Sequence, residues 1–516
     1  MPLRQLKKFI LFFVLLLPTG LPAKQIAIYH TSDIHGYYFA RENAQGGRYG
    51  GFAALESLLK KETLPFILLD SGDFSSGNKE ANDSDGKYSI DLMNAAGNTP
   101  KNFRKRGYAA LTIGNHDSDF GDEKLSKMLK FFDGDVLSIN IEGLKVKPYK
   151  IYKVGGINVA VIGFSLDGPG MTGMRVVKTD ENKLKTVMKN VLKHKPQVVI
   201  LLAHDSIGDS RKPSNVLDTI AAVPLAKNNI DLFLGGHAHI ENISRILGPE
   251  GPLFVEDGSM LEGVGRIIID VDDITGKTNG IQAQYIKLDV SKVGEDAGTK
   301  AFLDEIEDKT LTEVFGNVPE RITKYPSGKD GSAEMSKLMA DEFYRYLSEK
   351  EKLDLAAFSI PSVRRDIEVG DLTGRDISEL FPYKEYPASF DINGGHLKKV
   401  IKESIKRDKR YGDYSLFSYS KNVKILYKFN EGKDDTVELL SATINGVEID
   451  DKKIYRMAAL SHIPEGFFEG APFVGLKNKN KKIYEDITPA ALLFNIVKAS
   501  NYRLVVPNDL RIVIEE

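Results

Sequence analysis

Aspartate, asparagine and histidine gather in five short clusters of the N-terminal half, each behind an apolar run. They are Thr31-Ser32-Asp33-Ile34-His35-Gly36, Asp70-Ser71-Gly72-Asp73, Gly114-Asn115-His116-Asp117 with Asp119 beyond it, His204-Asp205, and Gly235-Gly236-His237-Ala238-His239. Of the chain's 9 histidines, His35, His116, His204, His237 and His239 fall in these clusters. Oxygen donors beside imidazole, with no thiolate, suit borderline divalent ions such as Zn, Mn, Fe or Co. A lone histidine is ordinarily structural. Five such clusters need one shared explanation, and convergence on a pair of metal ions supplies it. Asp33 and His35 lie two apart, so in extended backbone their side chains share a face and suit one metal.

The elements that must position these residues follow from periodicity. Ile26–His30, Pro65–Leu69, Ala109–Ile113, Gln197–Ala203 and Ile230–Leu234 read as buried strands ending at the clusters. Val136–Ile141 and Ile157–Phe164 read as apolar runs without such tips, and Phe254–Met260 and Gly265–Val271 as closing strands. Phe52–Lys61 and Lys183–His194 read as helices. Strands alternating with helices imply an α/β layered fold, whose ligand sites gather beyond the carboxyl ends of strands. The charged stretch 296–320 reads as a linking helix, and a second, α+β domain is expected over 321–516.

A chain of 516 residues is too long for one core, so two or more domains are expected. A net charge of −2 and 42% hydrophobic residues describe an ordinary soluble protein. No basic excess or basic–aromatic interleaving points to a nucleic-acid polymer. Met1–Ala23 has a basic start, an apolar middle from Phe9 to Leu17 and a breaker-rich end, the layout of a secretory signal peptide. Its apolar part is too short to span a bilayer, so no stable membrane insertion is expected after cleavage. With 0 cysteines the exported chain is held by packing alone, which suits a bacterial periplasm or exterior.

The ordered series DIHG (33–36), GDFSSG (72–77), GNHD (114–117), AH (203–204) and GHAH (236–239) resembles the calcineurin-like metallophosphoesterases, in their 5′-nucleotidase branch. The resemblance implies a four-layer α/β/β/α sandwich of two mixed sheets over 24–295, followed by a smaller α+β domain that binds the substrate's non-reacting part. By motif, Asp33, His35 and His239 would hold one metal, and Asn115, His204 and His237 the other, with Asp73 bridging them. A water deprotonated by the metals would attack phosphorus. His116 would be the catalytic histidine, stabilising developing charge or protonating the leaving oxygen, with Asp119 orienting it.

In the second domain Arg364 falls where the family's phosphate-gripping arginine does, and Tyr383 at one ring of its base sandwich. Ser359 replaces the usual asparagine. Ile463 takes the place of the second ring, leaving Phe467 or Phe468 to substitute. The function implied is an exported phosphohydrolase acting on a small phosphorylated molecule, a nucleotide or related metabolite. The altered pocket keeps open a non-nucleotide phosphoester or a sulfur ester, as in thiosulfohydrolases. A different class, an inactive ligand-binding protein, is disfavoured because no ligand position has decayed.

Overall fold

Val159 and Val161 project to one side of their strand, while Ala160 and Ile162 project to the other, and both sides are buried. Val198, Ile200 and Leu202 alternate with Val199, Leu201 and Ala203 in the same way. An apolar run covered on both faces belongs to an inner, parallel sheet. The computed structural model of the chain describes residues 23–42, 46–166, 175–176, 181–207, 215–326, 330–383, 385–408, 412–430, 436–466, 468–473 and 480–515. The expected signal segment up to residue 22 and Phe467 lie outside these, as does the side chain of Phe468.

Two six-stranded sheets face each other. The first runs Thr278–Lys287, Gly263–Asp272, Ala23–Thr31, Phe66–Asp70, Ala110–Leu111, Asp135–Val136. The second runs Glu241–Arg245, Leu253–Asp257, Leu232–Leu234, Val198–Ala203, Ile157–Phe164, Tyr149–Val154. Ile26, Ile28, Ile67, Leu69, Val161 and Ile200 fill the space between them. Helices Phe52–Leu59, Lys87–Ala95 and Asp122–Leu129 cover the outer face of the first sheet. Glu181–Lys193 and Asn215–Ala222 cover the second. This is the expected four-layer sandwich.

Register brings the strand tips level. Thr31 pairs with Asp70 and Asp70 with Leu111, all parallel. In the other sheet Leu202 pairs with Leu234 and Ala203 with Phe164, again parallel. The loops that follow therefore leave both sheets at one edge of the sandwich.

Beyond it, a five-stranded sheet runs Phe417–Tyr419, Leu355–Ser359, Ile454–Leu460, Pro387–Asn393, Lys482–Ile483, and a four-stranded sheet includes Val423–Phe429 and Ile512–Ile514. Both pack with helix Glu334–Ser348 around a separate core. One local expectation is corrected. The helix expected over 296–320 is confined to Ala297–Ile306; a short 3-10 turn follows, and Val314–Val318 is a strand paired with Gly370–Thr373. Val314, Phe315 and Val318 are residues that favour a strand, and Gly316 disfavours helix continuation. The apolar run Val136–Ile141 spans the end of strand Asp135–Val136 and the start of strand Ile141–Glu142.

The second domain is fastened to the first beside the strand tips. Arg375 forms a two-pronged pair with Glu80 (2.8 and 3.2 Å) and reaches Glu307 at 3.4 Å. Its guanidinium lies 4.7 Å from the centre of the Phe39 ring. Asn82 Nδ2 donates to Pro382 O (2.6 Å) and the Tyr37 hydroxyl to Glu379 O (3.3 Å).

Candidate active site

The tip loops are locked together before any side chain is considered. Asp33 N donates to Gly72 O (2.9 Å) and His35 N to Asp73 O (2.8 Å). Gly72 has φ 91°, and a Cβ there would lie 2.5 Å from Gly114 N; one on Gly114 would lie 2.2 Å from Asp73 Oδ1. Only glycine lets these loops approach so closely. Asp33 (φ 50°), His35 (50°), Asp73 (55°), His237 (82°) and His239 (59°) all adopt left-handed backbone. Such conformations cluster at functional sites, where surrounding structure must enforce them. They also correct one expectation: Asp33 and His35 converge through a turn, not through the pleat of an extended strand.

The predicted ligands meet. Donor atoms of Asp33, His35 and His239 lie within 4.8 Å of one another, as do those of Asp33, Asp73 and His204. His35 Nε2 faces His239 Nε2 at 3.2 Å, and His239 Nε2 lies 3.3 Å from Asp33 Oδ1. Asp73 Oδ2 lies 3.1 Å from His204 Nε2 and 3.8 Å from His35 Nε2, between the two groups. Asn115 Oδ1 lies 3.1 Å from His204 Nε2 and 3.0 Å from His237 Nδ1. Imidazole nitrogens and carboxylate oxygens pointed at common centres form a donor set that fits divalent cations.

For His35 and His239 the electrostatics agree with this fit. Burial, outweighing the pull of Asp73, holds His35 well below the usual histidine range. Burial, with Arg364 and Lys324 nearby, does the same to His239, so both offer neutral imidazoles. Burial would raise the Asp73 carboxyl, but His204 beside it keeps it well below the carboxylate range. Burial works against a charged His204, yet Asp73 and then Asp33 push it up to about 10.

His116 Nδ1 lies 3.0 Å from Asp119 Oδ2, which also accepts from Ser76 Oγ (3.0 Å). Burial opposes its charged form, but Asp119 and Asp73 prevail and its pKa is raised. The backbone N of His116 donates to Asp73 Oδ1 (2.7 Å). The Tyr383 ring stacks on its imidazole, centres 4.8 Å apart and planes 10° apart.

Two buried acids that sequence reasoning left without a role build the scaffold. Asp117 accepts from the backbone N of Asp73, Phe74, Ser75 and Gly114 at 2.9–3.1 Å and from Ser75 Oγ at 2.8 Å. Burial and then the Asp73 charge push its carboxyl up to about 7 against those donors. Glu256 accepts from Ala238 N (3.0 Å), between His237 and His239, and from Ser206 Oγ (2.5 Å). Asp33 receives His237 N at 2.9 Å. For Glu256 the available signal was an acidic residue directly after Leu253, Phe254 and Val255 in a strand buried throughout.

The second domain completes a cavity of about 1030 Å³ over the strand tips, lined among others by Asp73, His116, His239, Arg364 and Tyr383. Arg364 lies 5.2 Å from the Tyr383 ring centre and close enough to depress His35, His239 and, in part, His116. Ser359 is 1% exposed, and its hydroxyl accepts from Ser362 N (3.3 Å) to hold the turn before Arg364. Ile463 is fully buried in the second domain's core.

Fold and site together define a metal-dependent phosphoric ester hydrolase. Residues 26–241 match the calcineurin-like phosphoesterase family, and residues 314–471 match the 5′-nucleotidase C-terminal domain. The chain is 24% identical to protein UshA of Yersinia enterocolitica over 84% of each chain. It is 23% identical to a Vibrio cholerae 5′-nucleotidase over 76% of this chain and 78% of that one. Among solved structures, a 5′-nucleotidase precursor from Thermus thermophilus superposes with TM-score 0.78 at 17% identity, covering 95% and 99% of the two chains. The sulfate thiohydrolase SoxB of the same organism gives 0.70 at 16% identity, covering 96% and 97%. The chain belongs to the calcineurin-like metallophosphoesterases, in the 5′-nucleotidase family.

Proposed function

We propose that this protein is an exported hydrolase that releases phosphate from nucleotides or closely related phosphorylated metabolites, using two divalent ions. The observation that carries the reading is the meeting of Asp33, His35, Asp73, His204 and His239 donor atoms in two overlapping groups at one edge of the sandwich. Asp33, His35 and His239 would hold one ion and Asn115, His204 and His237 the other, with Asp73 close to both groups. Ions so placed supply Lewis-acid polarisation of the ester and acidify water at neutral pH.

The chain's own residues orient and protonate. Arg364 grips non-bridging phosphoryl oxygens through its guanidinium fork. With Nδ1 engaged by Asp119, His116 exchanges a proton with the leaving oxygen through Nε2. The cavity has room for a nucleotide-sized ligand, given that small-molecule sites span about 300–1,000 Å³. Relatives bearing the 5′-nucleotidase name support a nucleotide, and Met1–Ala23 supports export to a bacterial periplasm or exterior. A second reading, a non-nucleotide phosphoester or sulfur ester at the same centre, is favoured by the burial of Ile463 where a second base-stacking ring would stand.

The test is phosphate release by the purified, metal-loaded protein from nucleoside monophosphates, UDP-sugars, cyclic nucleotides and glycerol 2-phosphate, with metal content counted by elemental analysis. A fall in AMP turnover of about 10²- to 10⁴-fold in His116→Ala is expected. Turnover of glycerol 2-phosphate alone selects the second reading. A chain that takes up no divalent ion refutes both.

A further inference from the structure

We propose that Tyr383 is a positioning residue for the His116 imidazole and does not serve as a platform for a nucleobase. Three observations converge on it. First, the phenol ring lies parallel to the imidazole, 10° between planes and 4.8 Å between centres, the offset stack that aromatic rings favour. Asp119 holds His116 at Nδ1, and the stacked phenol covers one face of the imidazole. The stack fixes the plane. Secondly, the Tyr383 hydroxyl lies 3.4 Å from His35 Nδ1, and His35 meets His116 edge-on at 5.4 Å, so the three rings form one packed set.

Thirdly, Tyr383 is held in place by the first domain. The carbonyl of Pro382, its chain neighbour, accepts from Asn82 Nδ2 at 2.6 Å. Asn82 lies on helix Lys79–Asp83, whose cap Asn78 donates its backbone N to His35 O (3.1 Å). The chain that carries Tyr383 and the turn that carries His35 are therefore tied to one short helix. A base clamp needs an accessible face on each of two rings. Here one face of Tyr383 is taken by His116, and the position expected for its partner is Ile463, fully buried.

This rests on His116 being the proton-exchanging residue of the proposed reaction, and the experiment separates the two claims. Turnover of AMP and of glycerol 2-phosphate is measured for the parent, Tyr383→Phe and Tyr383→Leu, each also in a His116→Ala background. The expected result is a drop of about two- to tenfold in kcat for Tyr383→Leu on both substrates, the range that a stacked aromatic pair contributes. KM for AMP stays within twofold. Tyr383→Phe, which keeps the ring, loses less kcat than Tyr383→Leu, and Tyr383→Leu has no further effect once His116 is alanine. A rise in KM for AMP alone, with kcat unchanged, would make Tyr383 a base platform and overturn the proposal. So would an equal drop in both backgrounds, which marks general damage. Should Tyr383→Leu fail to fold, Tyr383→Phe still decides: a loss of kcat beyond about tenfold there, more than a stacked pair contributes, assigns the effect to the hydroxyl and refutes the stack. Full parental activity in His116→Ala would instead refute the reading beneath it.

Discussion

Arg375→Met tests whether the two domains are fastened where the structure places the fastening. The Arg375 and Glu80 side chains are 14% and 2% exposed, and their fork-to-carboxylate contacts measure 2.8 and 3.2 Å. Methionine fills most of the arginine's volume but leaves the Glu80 carboxylate buried, with Asp308 N at 3.2 Å as its remaining donor. Breaking a buried ion pair from one side costs about 3–5 kcal/mol, because an uncompensated charge stays behind. At about 2–4 °C of Tm per kcal/mol for units of this size, the expected fall is roughly 6–20 °C. Thermal unfolding by circular dichroism or calorimetry reads it. Proteolysis of the segment between Ile306 and Val314, which contains the Arg375 partner Glu307, should speed up in parallel. The double variant Arg375→Met, Glu80→Gln should recover part of the loss, since no buried charge is then stranded. A single variant within 2 °C of the parent would refute the reasoning, as would a double variant whose loss equals the sum of the two singles.

Three further outcomes follow from the same geometry. Burial raises Asp231 to about 6; the unfolded chain thus loses its proton first, and stability falls as pH rises from about 4 to 6. Asp231→Asn should therefore stabilise by up to about 3 kcal/mol at pH 7 and by nothing at pH 3.5; equal Tm at both pH values in parent and variant would contradict this. Glu256→Gln should weaken divalent-ion binding by about ten- to hundredfold in a direct metal titration, because the carboxylate that fixes the His237–His239 turn is lost; unchanged affinity would remove it from the scaffold. Chelation should abolish phosphate release and lower Tm, both restored by added divalent ion, since ligand bound only to the native state adds stability.

The first domain was legible because its strands are apolar on both faces and stop abruptly at Asp, Asn and His. All seven predicted ligands lie together at one edge, with Asp119 on His116 as expected. Asp117 and Glu256 escaped notice because their role is to accept backbone N–H groups, a duty that depends on loop geometry and leaves no mark in residue spacing. The boundary helix was overextended because the charge of 296–320 masked the strand-favouring valines and phenylalanine of Val314–Val318. Tyr383 was expected to wait for a base. Its stack on His116 comes from contacts some 300 positions apart, such as Asn82 with Pro382, which no local pattern encodes.

Asp33, Asp73 and Asn115 leave one sheet of the sandwich, and His204 and His237 leave the other. The reaction centre is thus a rivet through both plates of the molecule. Damage to either sheet, however remote, pulls half the fittings away. Turnover should vanish with the earliest partial melting, well before bulk helix content declines, and activity becomes a sensitive gauge of whether the two plates remain joined.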